Sequence, residues 1–233
     1  MDDLRPPDTS ERLTRRGSLA RLGGLVATVA AGWRAESAAA GPAGVASGAI
    51  TCVLAPEQTE GPYYIPNEKF RRNVTESRPG TPLTLRLGVA DASSCKPIKG
   101  AAVDIWHCDA GGVYSGVASP ADTSTFMRGI QRTNAAGIAT FQTVYPGWYP
   151  GRTVHIHVKV HLGGNVVHTG QLYFPDSLTD AAYAKAPYAK RPGRTTRNAD
   201  DAIFRNGGRN SLLRLRKAGS AYVGMITMGV QRS

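Results

Sequence analysis

The sequence is poor in several features that would point to other classes of protein. It has 3 cysteines among 233 residues, and their spacing matches neither a zinc ribbon nor a Cys-x-x-Cys motif. No apolar run approaches the roughly 20 residues that a membrane-spanning helix needs. Acidic residues are also scarce, with 17 Asp and Glu against 28 Lys and Arg, so the net charge is +11. These shortages argue against a cysteine-ligated metal site and against a membrane span.

The positive charge is concentrated in the last quarter of the chain. From residue 181 to residue 233 there are eleven Lys and Arg but only two acids, Asp200 and Asp201, so this quarter carries nine of the eleven net charges. A nucleic-acid-binding protein would interleave aromatic and basic residues or show a recognition helix, and neither pattern is present. We expect no nucleic-acid partner. The simplest interpretation is a solvated basic face, and attraction of anionic small molecules or an acidic cell surface is the alternative.

The beginning of the chain has the pattern of a targeting segment. Arg15 and Arg16 precede a short run of small apolar residues that ends at Ala31, and this arrangement resembles a twin-arginine signal. A basic tail without a targeting role is the alternative. The pattern predicts a signal and linker over residues 1–50, one domain over residues 51–233, and export by the twin-arginine route to the periplasm or the outside.

Export would permit a disulfide bond, because disulfides persist in oxidising compartments. The three cysteines are Cys52, Cys95 and Cys108. An odd number allows one bridge and one free thiol, and the sequence leaves all three pairings open.

Many short stretches alternate apolar and polar residues, which is typical of β-strands. Gly, Pro, Asn and Asp clusters separate them as turns. The predicted strands cover residues 81–90, 101–108, 126–133, 137–144, 165–174 and 221–230, in addition to a histidine-bearing strand before residue 162. The strands on either side of Asn134 are predicted to form a hairpin, and a short helix is expected near residues 178–185. The sequence therefore predicts an all-β protein, an antiparallel β-sandwich with long loops and a short helix.

The histidine-bearing strand follows Arg152 and carries the strongest chemical signal. Because side chains alternate between the two faces of a strand, His155 and His157 project to one side and Ile156 to the other. Two imidazoles at this spacing can ligate one metal ion. A solvated polar face is the alternative for a lone His-x-His pair.

Two tyrosines stand where they could complete such a site. Tyr114 follows a turn after one predicted strand, and Tyr149 ends a loop just before the histidines. A phenolate is a hard anionic ligand that suits a trivalent cation, whose charge dominates local protonation. The usual ferrous site needs a carboxylate beside two histidines, and none lies close in sequence. Zinc accepts histidine but is not normally held by two tyrosines.

Five segments, in order, resemble the intradiol ring-cleavage dioxygenases, the family of protocatechuate 3,4-dioxygenase and catechol 1,2-dioxygenase. The segments are Thr59–Pro62, Asp104–Tyr114, Phe141–Tyr149, Arg152–His157 and Gly170–Phe174. Residues 57–64 and the Trp-His-Cys-Asp form of the second segment look most like an exported branch of that family. The long helical dimerisation segment of catechol 1,2-dioxygenases has no counterpart here.

The resemblance implies a ferric iron, Fe(III), held by four residues. Tyr114 and His155 would be equatorial ligands, and His157 and Tyr149 axial ones. The substrate would be a catechol that binds the iron as a dianion, together with O2, and the product a cis,cis-muconate. Tyr149 would leave the iron and accept a substrate proton.

The resemblance also implies roles for two further polar residues. Arg152 would stabilise negative charge that develops on the ring, and Gln171 would orient the substrate or the ligands. We expect His107 and His168 to be core histidines and His161 to be structural. The competing hypotheses are a non-catalytic β-sandwich binding module and a zinc hydrolase that uses the histidine pair.

Overall fold

The computed structural model describes residues 53–66 and 68–232. The predicted signal and linker, residues 1–50, and Cys52 lie outside these described residues, so the predictions about them stand untested. Within the described ranges, no helix is long and apolar enough to cross a membrane.

In the described part of the chain, eight strands and two short helices form the regular structure. The strands are β1 (Pro82–Asp91), β2 (Ala102–Trp106), β3 (Arg128–Arg132), β4 (Ile138–Val144), β5 (His155–Leu162), β6 (Asn165–Tyr173), β7 (Arg214–Ala218) and β8 (Ala221–Val230). The helices are α1 (Asp176–Tyr183) and α2 (Ala202–Arg205), with 3-10 turns at Tyr188–Lys190, Asn198–Asp200 and Gly208–Ser211. Helix α1 begins directly after Pro175 with an acidic residue in its first turn, which favours the helix dipole.

The strands form two four-stranded sheets, ordered β4-β1-β8-β7 and β3-β2-β5-β6. The apolar face of β1, with Leu83, Leu85 and Leu87, is fully buried, and so are Ile156 and Val158 of β5. These side chains belong to one continuous hydrophobic core, as expected when the alternating apolar faces of two sheets meet. The predicted all-β sandwich is confirmed.

Three details of the strand pairing differ from the prediction. The strands on either side of Asn134 do not form a hairpin, because β3 and β4 belong to different sheets. The Asn134 side chain accepts backbone N–H groups at 2.9 and 3.0 Å, and this tight turn carries the chain from one sheet to the other. Strand β8 pairs with β1 in parallel, so the sandwich is not wholly antiparallel. Strand β7 was not predicted.

The polar face of β5 is buried rather than solvated, because the chain before β1 crosses over it. Gln58 donates its backbone N–H to the Thr169 carbonyl at 2.9 Å, and the Gln171 side chain donates to the Thr59 carbonyl at 3.0 Å. As a result His155 and His157 are at most 2% exposed. We call residues 57–64 the cover segment.

The two described cysteines, Cys95 and Cys108, differ in their bonding. Cys95 is disulfide-bonded, whereas Cys108 is a buried free thiol. Burial raises the pKa of Cys108 to about 12, so this thiol stays protonated and unreactive at neutral pH.

Candidate active site

Four predicted ligand residues come together at the start of β5. His155 and His157 project from the strand, Tyr149 comes from the loop between β4 and β5, and Tyr114 comes from the long loop after β2. The Nε2 atoms of the two histidines lie 3.1 Å apart, and the Tyr149 hydroxyl lies 3.0 Å from Nε2 of His155. The rings of Tyr114 and Tyr149 meet edge to face at 5.8 Å.

The orientation of His155 is set by the backbone. Its Nδ1 lies 2.6 Å from the Thr153 carbonyl oxygen, and since a carbonyl only accepts, Nδ1 carries the proton. Nε2 is then unprotonated, and its lone pair faces the other three residues. It accepts a hydrogen bond from the Tyr149 hydroxyl. A metal-binding histidine is usually oriented in this way by a bond through its second nitrogen.

Apart from the 3.1 Å contact between the two Nε2 atoms, the ring of His157 is held by packing. Trp106 stacks on it with a centroid distance of 4.9 Å and an interplanar angle of 7°. Gly61 of the cover segment lies on its edge, where an added Cβ would come 3.1 Å from Cε1. Nδ1 of His157 is buried and has no hydrogen-bond partner among the described residues.

Tyr114 contributes an unusual polar atom. Its hydroxyl is buried and makes no hydrogen bond of good geometry to a described residue; the Tyr149 hydroxyl is its polar neighbour, and Tyr63 stacks on its ring at 4.4 Å. A buried unpaired hydroxyl is costly, and it is explained if the oxygen bonds to an ion.

Burial keeps all four side chains neutral in the protein alone. It raises the pKa of Tyr149 to about 12 and that of Tyr114 well above its ordinary value. It lowers the pKa of His155 to about 3 and also lowers the pKa of His157, which the neighbouring His155 lowers further. Two converging imidazole nitrogens and two phenol oxygens, without a balancing cation, are a donor set suited to a hard metal ion.

Any metal here would need the tyrosines. The described residues contain no cluster of three or more His, Cys, Asp or Glu that could hold an ion. A site of the two-histidine, one-carboxylate type is therefore absent from this part of the chain.

Arg152 and Gln171 also meet at the site. The guanidinium donates through Nη2 to the Gln171 side-chain oxygen and through Nε to Asp201 Oδ2 at 2.9 Å. Gln171 lies directly across from His157 in the β5–β6 register, which places both predicted residues beside the four candidate ligands.

Comparisons with known proteins agree with this geometry. The dioxygenase family model Dioxygenase_C matches residues 59–198, more than half of the chain. An intradiol ring-cleavage dioxygenase from Tetranychus urticae is 38% identical, with a TM-score of 0.73, and the match covers 77% of this chain and 95% of that one. The chain belongs to the intradiol ring-cleavage dioxygenases.

Other intradiol dioxygenase matches extend the comparison. The dioxygenase domain of a dioxygenase carbohydrate-binding protein fusion from Streptomyces sp. SirexAA-E is 36% identical, with a TM-score of 0.61, covering 78% of this chain and all of that domain. The 3-chlorocatechol 1,2-dioxygenase from Rhodococcus opacus 1CP, at 20% identity and a TM-score of 0.59, covering 77% and 73%, shares the fold. No curated protein matches the sequence.

Further along β5, this dioxygenase buries a second polar group. Lys159 pairs with Glu60 of the cover segment and lies 3.6 Å from the ring centroid of Tyr64. Asp104, its cross-strand neighbour, is 1% exposed, and the Tyr64 hydroxyl is its hydrogen-bonding neighbour. Burial, and to a smaller extent Glu68, raises the pKa of Asp104 to about 7.

The other histidines have structural positions. His107 is fully buried and bonded at both nitrogens, 2.8 Å from the Cys108 carbonyl and 2.8 Å from the Thr143 hydroxyl. His168 is buried with Nδ1 at 2.7 Å from Glu57, and His161 lies half-buried at the far end of β5. The first two are core histidines, as predicted.

Sequence reasoning missed Asp201, Trp106 and Gly61 as neighbours of the site. Asp201 was noticed only as one of two acids in a basic region. That isolation was a usable signal, because a lone buried acid among basic residues is commonly paired. The other two had no signal, since stacking and close approach depend on long-range packing.

Proposed function

We propose that this protein is a non-haem ferric-iron dioxygenase that inserts O2 into catechol-type aromatics, with intradiol cleavage to cis,cis-muconate-type products. The observation that carries the proposal is the convergence of two phenol oxygens and two imidazole nitrogens on one buried point. Membership of the intradiol family supports it.

In this proposal the iron is held by Tyr114, Tyr149, His155 and His157. When bound, ferric iron supplies a Lewis acid that withdraws electron density from the aromatic substrate. The two phenolates provide anionic charge that suits a trivalent ion, and the unpaired Tyr114 hydroxyl gains a partner.

Tyr149 is the residue we propose to move a proton. It is half-buried, whereas Tyr114 is 5% exposed, so Tyr149 lies nearer to an incoming substrate. Its hydroxyl oxygen would accept the proton that a catechol must lose to bind as a dianion. In the metal-free protein that hydroxyl donates to the Nε2 lone pair of His155, 3.0 Å away.

Arg152 and Gln171 complete the proposed machinery. The Arg152 cation lowers the pKa values of His155 and His157, so its field reaches the centre of the site. A fixed cation there would stabilise negative charge on the ring as the substrate reacts. Gln171, hydrogen-bonded to Arg152 and to the cover segment, would hold the arginine in position.

We also propose that the enzyme is exported. The twin-arginine-like segment motivates this proposal, and the disulfide at Cys95 supports it, because such bonds are rare in reducing compartments. Retention of full-length protein in the cytoplasm of the native cell, measured by fractionation, would contradict export.

The test is a visible absorption spectrum of the purified protein, recorded without oxygen before and after catechol is added. Tyrosinate on ferric iron gives a red-brown charge-transfer band, and we expect catechol to shift it. In Tyr149→Phe the band should weaken, and the shift caused by tyrosine displacement should disappear. A protein that stays colourless after iron is supplied, and binds zinc instead, would favour the hydrolase hypothesis. One that binds no metal would favour the binding module.

A further inference from the structure

We propose that Asp201 is a positioning residue, whose carboxylate fixes both the direction of Arg152 and the backbone that orients His155. This inference deepens the proposed function and rests on it. Asp201 lies beyond residue 198, where the match to the family model ends.

The Asp201 carboxylate is fully engaged. Oδ2 accepts from Arg152 Nε at 2.9 Å and from the Thr153 backbone N–H at 2.8 Å. Oδ1 accepts the backbone N–H groups of Ile203 and Phe204 at 2.8 and 3.0 Å and so caps α2. The side chain is 1% exposed. These bonds lower the pKa of Asp201 despite its burial, which raises it, so the carboxylate is ionised at neutral pH.

The bond to Thr153 extends to the proposed metal site. The same residue that donates its N–H to Asp201 gives its carbonyl oxygen to His155 Nδ1 at 2.6 Å. Its hydroxyl donates to Asn198 at 2.7 Å. Thr153 is therefore held from three sides, and the position of Asp201 is passed to the imidazole through this single residue.

The bond to Arg152 selects which guanidinium nitrogen remains available. Nε donates to Asp201 and Nη2 donates to Gln171. Nη1 takes part in neither of these two bonds, so it is the nitrogen left to meet a substrate, and the Tyr173 hydroxyl is a further polar neighbour of the guanidinium. An arginine held at two points loses little further freedom on binding, which favours a precise electrostatic contact.

The main test separates this role from helix capping. Asp201→Asn removes the charge and leaves one oxygen, and asparagine caps helices about as well as aspartate. We expect kcat of the iron-loaded enzyme to fall roughly 10²-fold, the scale of one lost electrostatic donor, and iron affinity to fall roughly 10-fold, because the Thr153 backbone that orients His155 loses its acceptor. Asp200→Asn removes the same charge from an exposed neighbour and should leave kcat unchanged.

A double-mutant cycle tests whether the effect passes through Arg152. Residues that act as a unit give non-additive losses, so Arg152→Ala with Asp201→Asn should be about as slow as Arg152→Ala alone. Multiplied losses would overturn the proposal, as would an Asp201→Asn enzyme that matches Asp200→Asn in turnover.

Arg152→Lys covers the case in which Asp201→Asn does not fold. Lysine keeps the charge but has no Nε–H to bond Asp201 while reaching Gln171, so we expect a loss of turnover close to that of Arg152→Ala. Wild-type turnover in Arg152→Lys would contradict the proposal.

A measurement without turnover separates this inference from the proposed function. In the metal-free protein, the Nε–H resonance of Arg152 should exchange slowly with solvent in the wild type and in Asp200→Asn, and rapidly in Asp201→Asn. Slow exchange in all three would refute the positioning role. Inactivity towards catechols, with this exchange pattern intact, would refute the proposed function alone.

Discussion

The polar face of β5 buries two groups of side chains that differ in what lies opposite them. His155 and His157 face two phenols, and no carboxylate of the described chain bonds to either imidazole. Two residues further on, Lys159 pairs with Glu60 and lies directly across from Asp104 on β2. His155, His157, Lys159 and Asp104 are each at most 6% exposed, whereas the Glu60 side chain is partly exposed.

Burial alone therefore does not mark the site. The second group balances its charges with its own residues, because the ammonium of Lys159 meets the carboxylate of Glu60. The first group has converging lone pairs and no cation of its own at their centre. Buried donor atoms that converge with no cation between them are what a metal site requires.

The largest expected effect comes from removing a ligand from the first group. His157→Ala should abolish iron binding and turnover, a loss beyond the roughly 10–100-fold typical of an outer partner of a metal ligand. His161→Ala, on the same face of β5 but at its far end, is the matched control and should keep both. Metal content and oxygen uptake measure the outcome. Equal iron content in His157→Ala and His161→Ala would show that the two ends of β5 do not differ in metal binding.

The next effect is a loss of turnover in a variant that still binds iron. Arg152→Ala should keep its iron but lose turnover by roughly 10²–10³-fold, since one charge-stabilising donor is removed. Iron content and steady-state kinetics on the same preparation measure this. Unchanged turnover with normal iron would show that the guanidinium is structural, like the cation of Lys159.

The second group should be visible as a pH dependence of stability. The pKa of Asp104 rises from about 4 to about 7 in the folded protein. The folded state therefore binds the extra proton between these values, and stability falls as pH rises through this window. From pH 5 to pH 7 we expect wild type to lose about 2 kcal/mol relative to Asp104→Asn.

Urea unfolding of both proteins at the two pH values measures this difference. The histidines with lowered pKa values, such as His107 at about 4, contribute the opposite slope, but they are common to both proteins and cancel. Parallel pH profiles would mean that Asp104 is balanced as fully as Glu60.

The smallest effect concerns the contact between the cover segment and the first group. Gly61 has a φ of +73° and Gly100 a φ of +81°, so alanine at either position should cost about 1 kcal/mol of stability through backbone strain. Only at Gly61 would the new Cβ press on His157. We expect Gly61→Ala alone to weaken iron affinity, by roughly 10-fold. Equal affinities would show that the cover segment does not support His157.

The sandwich and the ligand residues were predictable because they depend on local order. Alternation revealed β1, β5 and β8, and the spacing of His155 and His157 placed both on one face before any contact was known. The structure brings Tyr114 and Tyr149 to the same point, as the motif resemblance implied.

Other features depended on contacts that no local pattern contains. The turn at Asn134 has hairpin residues, but whether it joins strands of one sheet or of two depends on the packing of both. Asp201 reaches Arg152 across 49 positions, and Lys159 reaches Glu60 across 99. The sequence showed an alternating polar face on β5 but not what would cover it.

The parallel pairing of β8 with β1 has a consequence for how the molecule is made. Strand β8 lies inside its sheet, between β1 and β7. One edge of β1 therefore stays unpaired until β8, much later in the chain, has been made. Pairings between such distant segments slow folding. A chain that has not yet made β8, or has lost it by clipping, leaves that edge of β1 unpaired and open to aggregation.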